Sequence, residues 1–146
     1  MTKRLFLLSS FCLLLGVVLN AASVAQARSE IYKARLSPLG VTNATVTTTT
    51  GVGAVTATLT GNRLAIDATF EGLTGAATAA NLRRGAKGIP GPVIAGLEFP
   101  KSSSGKLSQT IYLTPEQVAD LRAGRLYLQI HSERAPEGSI RGWLLK

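Results

Sequence analysis

His131 is the sole histidine of the sequence, and histidine is the side chain whose ordinary titration falls near neutral pH. One imidazole excludes any site built from several, and it leaves one conventional general base. Strand alternation around it sets Leu126, Leu128 and Ile130 on one face and Tyr127, Gln129 and His131 on the other. The histidine is therefore expected on the side away from the aliphatic core, as a hydrogen-bonded surface residue. A ligand or catalytic role is the sharper alternative. No G-x-S-x-G elbow is present for a serine nucleophile, and Ser102-Ser103-Ser104-Gly105 reads as a flexible turn. Gly85-Ala86-Lys87-Gly88 lacks the ordered spacing of a phosphate loop and the helix that should follow it. The eight acidic residues are scattered and form no pair suited to glycoside hydrolysis. The inventory points away from an enzyme, so no catalytic residue, metal or cofactor is expected.

Residues 1–27 have the order of an export signal. Lys3 and Arg4 form a basic start, Leu5 to Leu19 is apolar apart from Ser9 and Ser10, and Ala25-Gln26-Ala27 is a small-residue cleavage site. Asn20 cuts the apolar run short of the about 20 residues a spanning helix needs. Cys12 follows Phe11 inside that run, so it is expected to leave with the signal rather than carry a lipid. Cleavage leaves Arg28 to Lys146, 119 residues without a cysteine. That excludes a disulfide framework, a thiolate metal site and a cysteine nucleophile. The expected location is periplasmic or extracellular, with no membrane span after cleavage. Without Lys3 and Arg4, 14 basic residues face 8 acidic ones, a net charge of +6 against +8 for the whole chain. Such a balance favours anionic partners. Only Arg83, Arg84 and Lys87 cluster, and few aromatics accompany them, which counts against a base-stacking platform for nucleic acid.

The remaining chain carries turn signals every eight to twelve residues between short β-type runs, the rhythm of an all-β, antiparallel sandwich or barrel of Greek-key or Ig-like kind. Ile31 to Leu36 is the first strand. Thr45 to Thr50 is a β-branched polar run expected as an edge strand or a loop, and Asn43-Ala44-Thr45 is formally a glycosylation sequon. Val55, Ala57 and Leu59, then Leu64, Ile66, Ala68 and Phe70, alternate with polar or small residues around a Gly61-Asn62 turn, which predicts a hairpin. Strands follow at Ala77–Leu82, Val93–Phe99 and Leu107–Leu113, with Gly85–Pro92 a glycine- and proline-rich loop. Thr114-Pro115-Glu116-Gln117 begins one short helix near 115–123 with a capping box, and Gly124 ends it. Leu126–Ser132 and Ser139–Leu145 close a single domain over 28–146, joined by a loop at Glu133–Gly138.

The last forty residues carry the most specific pattern. A T-x-x-Q helix and a glycine precede Leu126-Tyr127-Leu128-Gln129-Ile130-His131, a Pro/Gly loop, and Gly138-Ser139-Ile140-Arg141-Gly142-Trp143-Leu144. This resembles the CHRD domain, named for chordin and common in exported bacterial proteins, whose ending looks like Y-V-N-V-H-T, a P-x-G loop and G-E-I-R-G-Q-L. Upstream, Gly72-Leu73, Ala79-Ala80-Asn81-Leu82-Arg83 and Gly91-Pro92-Val93 resemble the family's G-L, A-A-H-I-H-G and G-P-V segments. The likeness spans Ile31 to Leu145 and implies an all-β sandwich. The family's H-x-H would share a strand face and could join a third histidine, matched here by His131, around a metal. This sequence has Asn81-Leu82-Arg83 there, and Arg83 is a permanent cation that cannot ligate one. Ser139 also replaces the family's usual glutamate.

The expected function is accordingly a non-catalytic binding or structural module of the cell envelope or extracellular space. Its candidate ligand patch is Asn81, Arg83, Tyr127, Gln129, His131 and Arg141, and its expected partner an anionic envelope component or an extracellular protein. Arg141 and Trp143 share a face on strict alternation, so a guanidinium–indole stack is one arrangement and a carboxylate or carbonyl partner for Arg141 the other. A copper- or zinc-binding oxidoreductase-like domain with a degenerate histidine site is the first alternative. A polyanion binder using Arg83, Arg84 and Lys87 is the second.

Overall fold

The computed structural model describes residues 27–38 and 40–146. The export signal expected at 1–27 lies outside them apart from Ala27. Eight strands and one helix follow in the order β1 (Ser29–Leu36), β2 (Val52–Thr60), β3 (Arg63–Glu71), β4 (Ala77–Arg84), β5 (Val93–Leu97), β6 (Gly105–Tyr112), α1 (Pro115–Arg122), β7 (Leu126–Ser132) and β8 (Ala135–Trp143).

The alternating hairpin forms as its pattern requires. Leu59 faces Leu64, Ala57 faces Ile66 and Val55 faces Ala68 across an antiparallel register, and each of these side chains is buried. β1 adds to one side of the pair and β6 to the other, giving a sheet in the order β1-β2-β3-β6. The second sheet has the order β5-β4-β7-β8 and places β7 at its centre. Their inner faces form one core from Tyr32, Leu36, Leu59, Ile66 and Phe70 on one side and Ala80, Leu82, Leu128, Ile130 and Ile140 on the other. Full burial of a Leu, Ile or Phe side chain contributes about 1.5–3 kcal/mol, so this core holds the layers together without covalent links. The architecture is an antiparallel β-sandwich. The two sheets also touch along one edge, where β1 meets the end of β8 through Lys33–Leu145 and Ser37–Arg141 bridges.

α1 closes as its first residues predict. Gln117 N donates to Thr114 Oγ1 at 3.2 Å, and Thr114 N donates to Gln117 Oε1 at 3.0 Å. Gly124 then takes a φ of 69°, the left-handed turn that ends a helix. Among the described residues no helix is long and apolar enough to cross a membrane. Residues 43–48 form turns rather than an edge strand, with Val46 N and Thr49 N donating to the carbonyls of Thr42 and Thr45 at 2.9 and 2.8 Å. Four consecutive threonines with no apolar alternation give a strand nothing to bury, and local bonds win.

Glu30 ties three separate parts of the chain. It accepts from Arg122 of α1 at 2.6 Å and from Tyr32 Oη at 2.8 Å, and Lys146 Nζ lies 2.6 Å away. Bonds from Arg122, then Lys146 and Tyr32, pull its carboxyl from the ordinary 4.5 down to about 2. A depressed carboxyl stabilises the fold above its unfolded value and loses that effect as pH falls toward the folded value. Thermal melts of Glu30→Gln should therefore run below those of the unmodified protein above pH 5 and converge with them as pH approaches 2. Parallel curves across that window would show that the clamp is not pH-linked.

Candidate binding groove on the outer face of the second sheet

β7 organises this face through its neighbours on both sides. Asn81, Gln129 and Arg141 lie in register across β4, β7 and β8, and so do Arg83, Tyr127 and Trp143. His131 lies opposite Ala79, beyond the row that holds Asn81. The two positions matching the H-x-H pattern therefore face Gln129 and Tyr127 rather than His131. Among the described residues no three His, Cys, Asp or Glu side chains gather as a metal-ligating group.

The face is not open sheet, contrary to the simple alternation. Tyr127 and Gln129 are 0% and 6% exposed. The Gly85–Pro92 loop folds back over them: Gly91 N donates to Tyr127 Oη and Trp143 Nε1 donates to Gly85 O, both at 2.9 Å. The Tyr127 and Trp143 rings stack beneath it, 4.7 Å apart and inclined at 31°. Arg83 Nε donates to Gly91 O at 2.9 Å, so its guanidinium edge is held at the rim of the loop. Loop residues with no hydrophobic period thus become the cover of a second, smaller core.

The Glu133–Gly138 loop expected from its proline and glycine is also reorganised. The chain turns at Glu133 and Arg134, and β8 already begins at Ala135. Ile130 faces Ile140 while Ser132 faces Ala135, so residues 136–139 bulge opposite His131 alone. Proline and glycine are as much at home in bulges as in turns. Gly138 has a φ of 123°, and a Cβ there would collide with the Gln129 amide. That amide lies beneath the bulge and donates to Glu137 O at 3.0 Å. His131 Nδ1 meets Pro136 O at 2.7 Å. A carbonyl only accepts, so Nδ1 donates the proton of this bond. Nε2 is shielded from solvent and has no partner among the described residues.

Between loop and bulge lies a groove of about 400 Å³. Arg83 and Pro90 stand on one side, Gln129 and His131 on the floor, and Glu137 to Arg141 on the other side, with Gly40, Thr45 and Thr49 closing it. Four of the six expected ligand residues, Arg83, Gln129, His131 and Arg141, line it. Asn81 does not, and Tyr127 instead holds the loop. Neither Arg83 nor Arg141 has a carboxylate partner among the described residues. Arg141 stands 6.0 Å over the Trp143 ring, at the outer reach of a cation–π contact.

The basic cluster expected at Arg83, Arg84 and Lys87 is split. Arg84 bonds Glu116 at 2.8 Å and lies 2.7 Å from Asp120, Arg83 faces the groove, and Lys87 is exposed on the loop. The contributions of residues 40–49 and of the covering loop were invisible to strand alternation, which registers neighbours in one sheet and not a segment folded across it.

A two-sheet antiparallel sandwich with a covered outer face defines the class of module. The CHRD domain family model matches residues 32–144, and the chain belongs to the CHRD domain family. No curated protein and no solved structure matches it.

Proposed function

We propose that this is an exported, non-catalytic binding module of the periplasm or extracellular space, and that the groove holds an anionic group of its ligand. Residues 1–27 serve in this reading as the cleaved signal. One observation carries it: Arg83 and Arg141 flank a concave site of about 400 Å³, and neither is ion-paired among the described residues. Family membership supports a binding module and does not name the ligand. Guanidinium groups hold carboxylate, sulfate or phosphate through paired N–H donors. Gln129, fixed by its bond to Glu137 O, keeps the floor in shape, while the Pro136 carbonyl orients the imidazole. Glu137, the only carboxylate among the groove residues, sits at its lip and is exposed.

Calorimetric titration with inorganic sulfate and with glucuronate tests the reading. Charge-assisted hydrogen bonds contribute about 1.5–3 kcal/mol, so Arg83→Ala and Arg141→Ala should each weaken binding by about tenfold or more. Failure of both probes to bind, or equal affinity in both variants, rejects the groove as an anion site.

A further inference from the structure

The line where β1 meets β8 carries a second concave surface. Lys33 N donates to Leu145 O at 2.7 Å, and Ser37 and Arg141 exchange backbone bonds at 3.1 and 3.0 Å. Gly142 permits this approach, because a Cβ there would strike the Arg35 carbonyl. With Tyr32, Ala34 and Leu36 turned inward, Lys33 and Arg35 project on the same outer side as Arg141. The resulting cleft, about 370 Å³, has Lys33, Arg35, Lys87 and Arg141 around it and Trp143 and Leu145 as its apolar part. No acidic residue lines it, and none of these four cations is ion-paired among the described residues.

Arg141 belongs to both concavities. We infer that the groove and the cleft form one continuous basic track, from Arg83 through Arg141 to Lys87, Lys33 and Arg35, that binds a linear acidic polysaccharide. This deepens the anion-site reading and rests on it. Two adjoining hollows that share an arginine suit a chain with charges at successive residues better than a single small anion. A polysaccharide is favoured over nucleic acid because the track offers no exposed aromatic surface on which a base could stack. Trp143 and Tyr127 are 6% and 0% exposed, and the freely exposed Tyr112 belongs to β6 of the other sheet. The set of cations differs from the cluster adjacent in sequence: Arg84 is engaged with Asp120 and Glu116, and residues from β1 take its place.

The test compares a heparin-derived octasaccharide, inorganic sulfate and a 20-nucleotide single strand, titrated into the unmodified protein and two triple variants. Lys33→Ala/Arg35→Ala/Lys87→Ala removes the exposed cleft cations. Arg63→Ala/Lys101→Ala/Lys106→Ala removes as many exposed cations elsewhere, so the pair separates location from net charge. Exposed substitutions of this kind leave stability within about 0.5 kcal/mol. The first variant should bind the octasaccharide about tenfold more weakly with a shallower salt dependence, while sulfate affinity stays as it was. The second variant should match the unmodified protein. Equal weakening by both triple variants, or an octasaccharide affinity unmoved by the first, overturns the track and leaves the sulfate site standing. Single-stranded nucleic acid bound as tightly as the octasaccharide also overturns it. Sulfate binding unaffected by both Arg83→Ala and Arg141→Ala removes the underlying groove reading instead, so the two failures are distinct.

Discussion

Trp143→Ala should lower the unfolding free energy by about 3–5 kcal/mol, the range for deleting a large buried aromatic side chain. For a domain of this size that corresponds to a fall in Tm of about 10–20 °C. The indole is 6% exposed, stacks on Tyr127 at 4.7 Å, and donates to Gly85 O at 2.9 Å. Its removal empties the space beneath the Gly85–Pro92 loop and releases one of the loop's side-chain anchors. Another is the Gly91–Tyr127 bond, which loses the ring that braces Tyr127. Trp143→Phe separates the contributions: it keeps most of the packing and leaves the Gly85 carbonyl without its donor, so the expected cost is about 1–3 kcal/mol. Hydrogen exchange at Gly85 and Gly91 should accelerate in both variants. A Trp143→Ala protein that melts within a few degrees of the unmodified one would mean the loop is not held by the ring pair.

The same residue marks the boundary of what could be read from sequence. Alternation placed Arg141 and Trp143 opposite Ile140 and Leu144, and the structure keeps that division: Arg141 is half-buried over the Trp143 ring, while Ile140 and Leu144 join the core. The hairpin at Gly61-Asn62, the capping box of Thr114 and Gln117, and the β7 strand were equally legible, because each rests on contacts between residues near in sequence or on a strict two-residue period. Legibility ended where a segment without a period crosses a sheet face. Gly85–Pro92 is polar, glycine-rich and unpatterned, and nothing local reveals that Tyr127 and Trp143 await it. The close approach of Gly91 to the Arg84 carbonyl is a reason for that glycine, yet it is visible only when the loop is folded. Four of the six expected ligand residues meet in the groove since they descend from one sheet face. Asn81 shares that face and lies in register with Gln129, yet it does not line the hollow; which members of a row meet the groove depends on the segments folded across the sheet rather than on alternation.

Asp120 is the second residue whose loss should be large, and its acidic type alone did not distinguish it from the other scattered acids. It is 1% exposed. Arg125 holds Oδ1 through Nη2 at 2.8 Å and Nε at 3.0 Å, and Arg84 Nε stands 2.7 Å from Oδ2 as a charge contact. The carboxylate thereby joins the middle of α1 to the end of β4 and to the turn before β7, where Arg125 O accepts from Gly85 N at 2.8 Å. Asp120→Asn preserves the shape, removes the charge, and sets an amide N–H₂ against a guanidinium. Loss of one partner from a fully buried pair costs about 3–5 kcal/mol. Here the arginines are 39% and 53% exposed and can rehydrate, so the expected loss is about 2–3 kcal/mol. A double-mutant cycle of Asp120→Asn with Arg84→Gln should return a coupling of about 1 kcal/mol, and a coupling near zero would assign the whole effect to Arg125. The consequence for binding runs the opposite way to stability. Arg84 keeps its bond to Glu116 and one negative charge is gone, so at temperatures where the variant stays folded its affinity for a sulfated octasaccharide should hold or rise, whereas Trp143→Ala should lose both stability and affinity. The two variants together separate a residue that shapes the groove from one that only fastens the helix to the sheet.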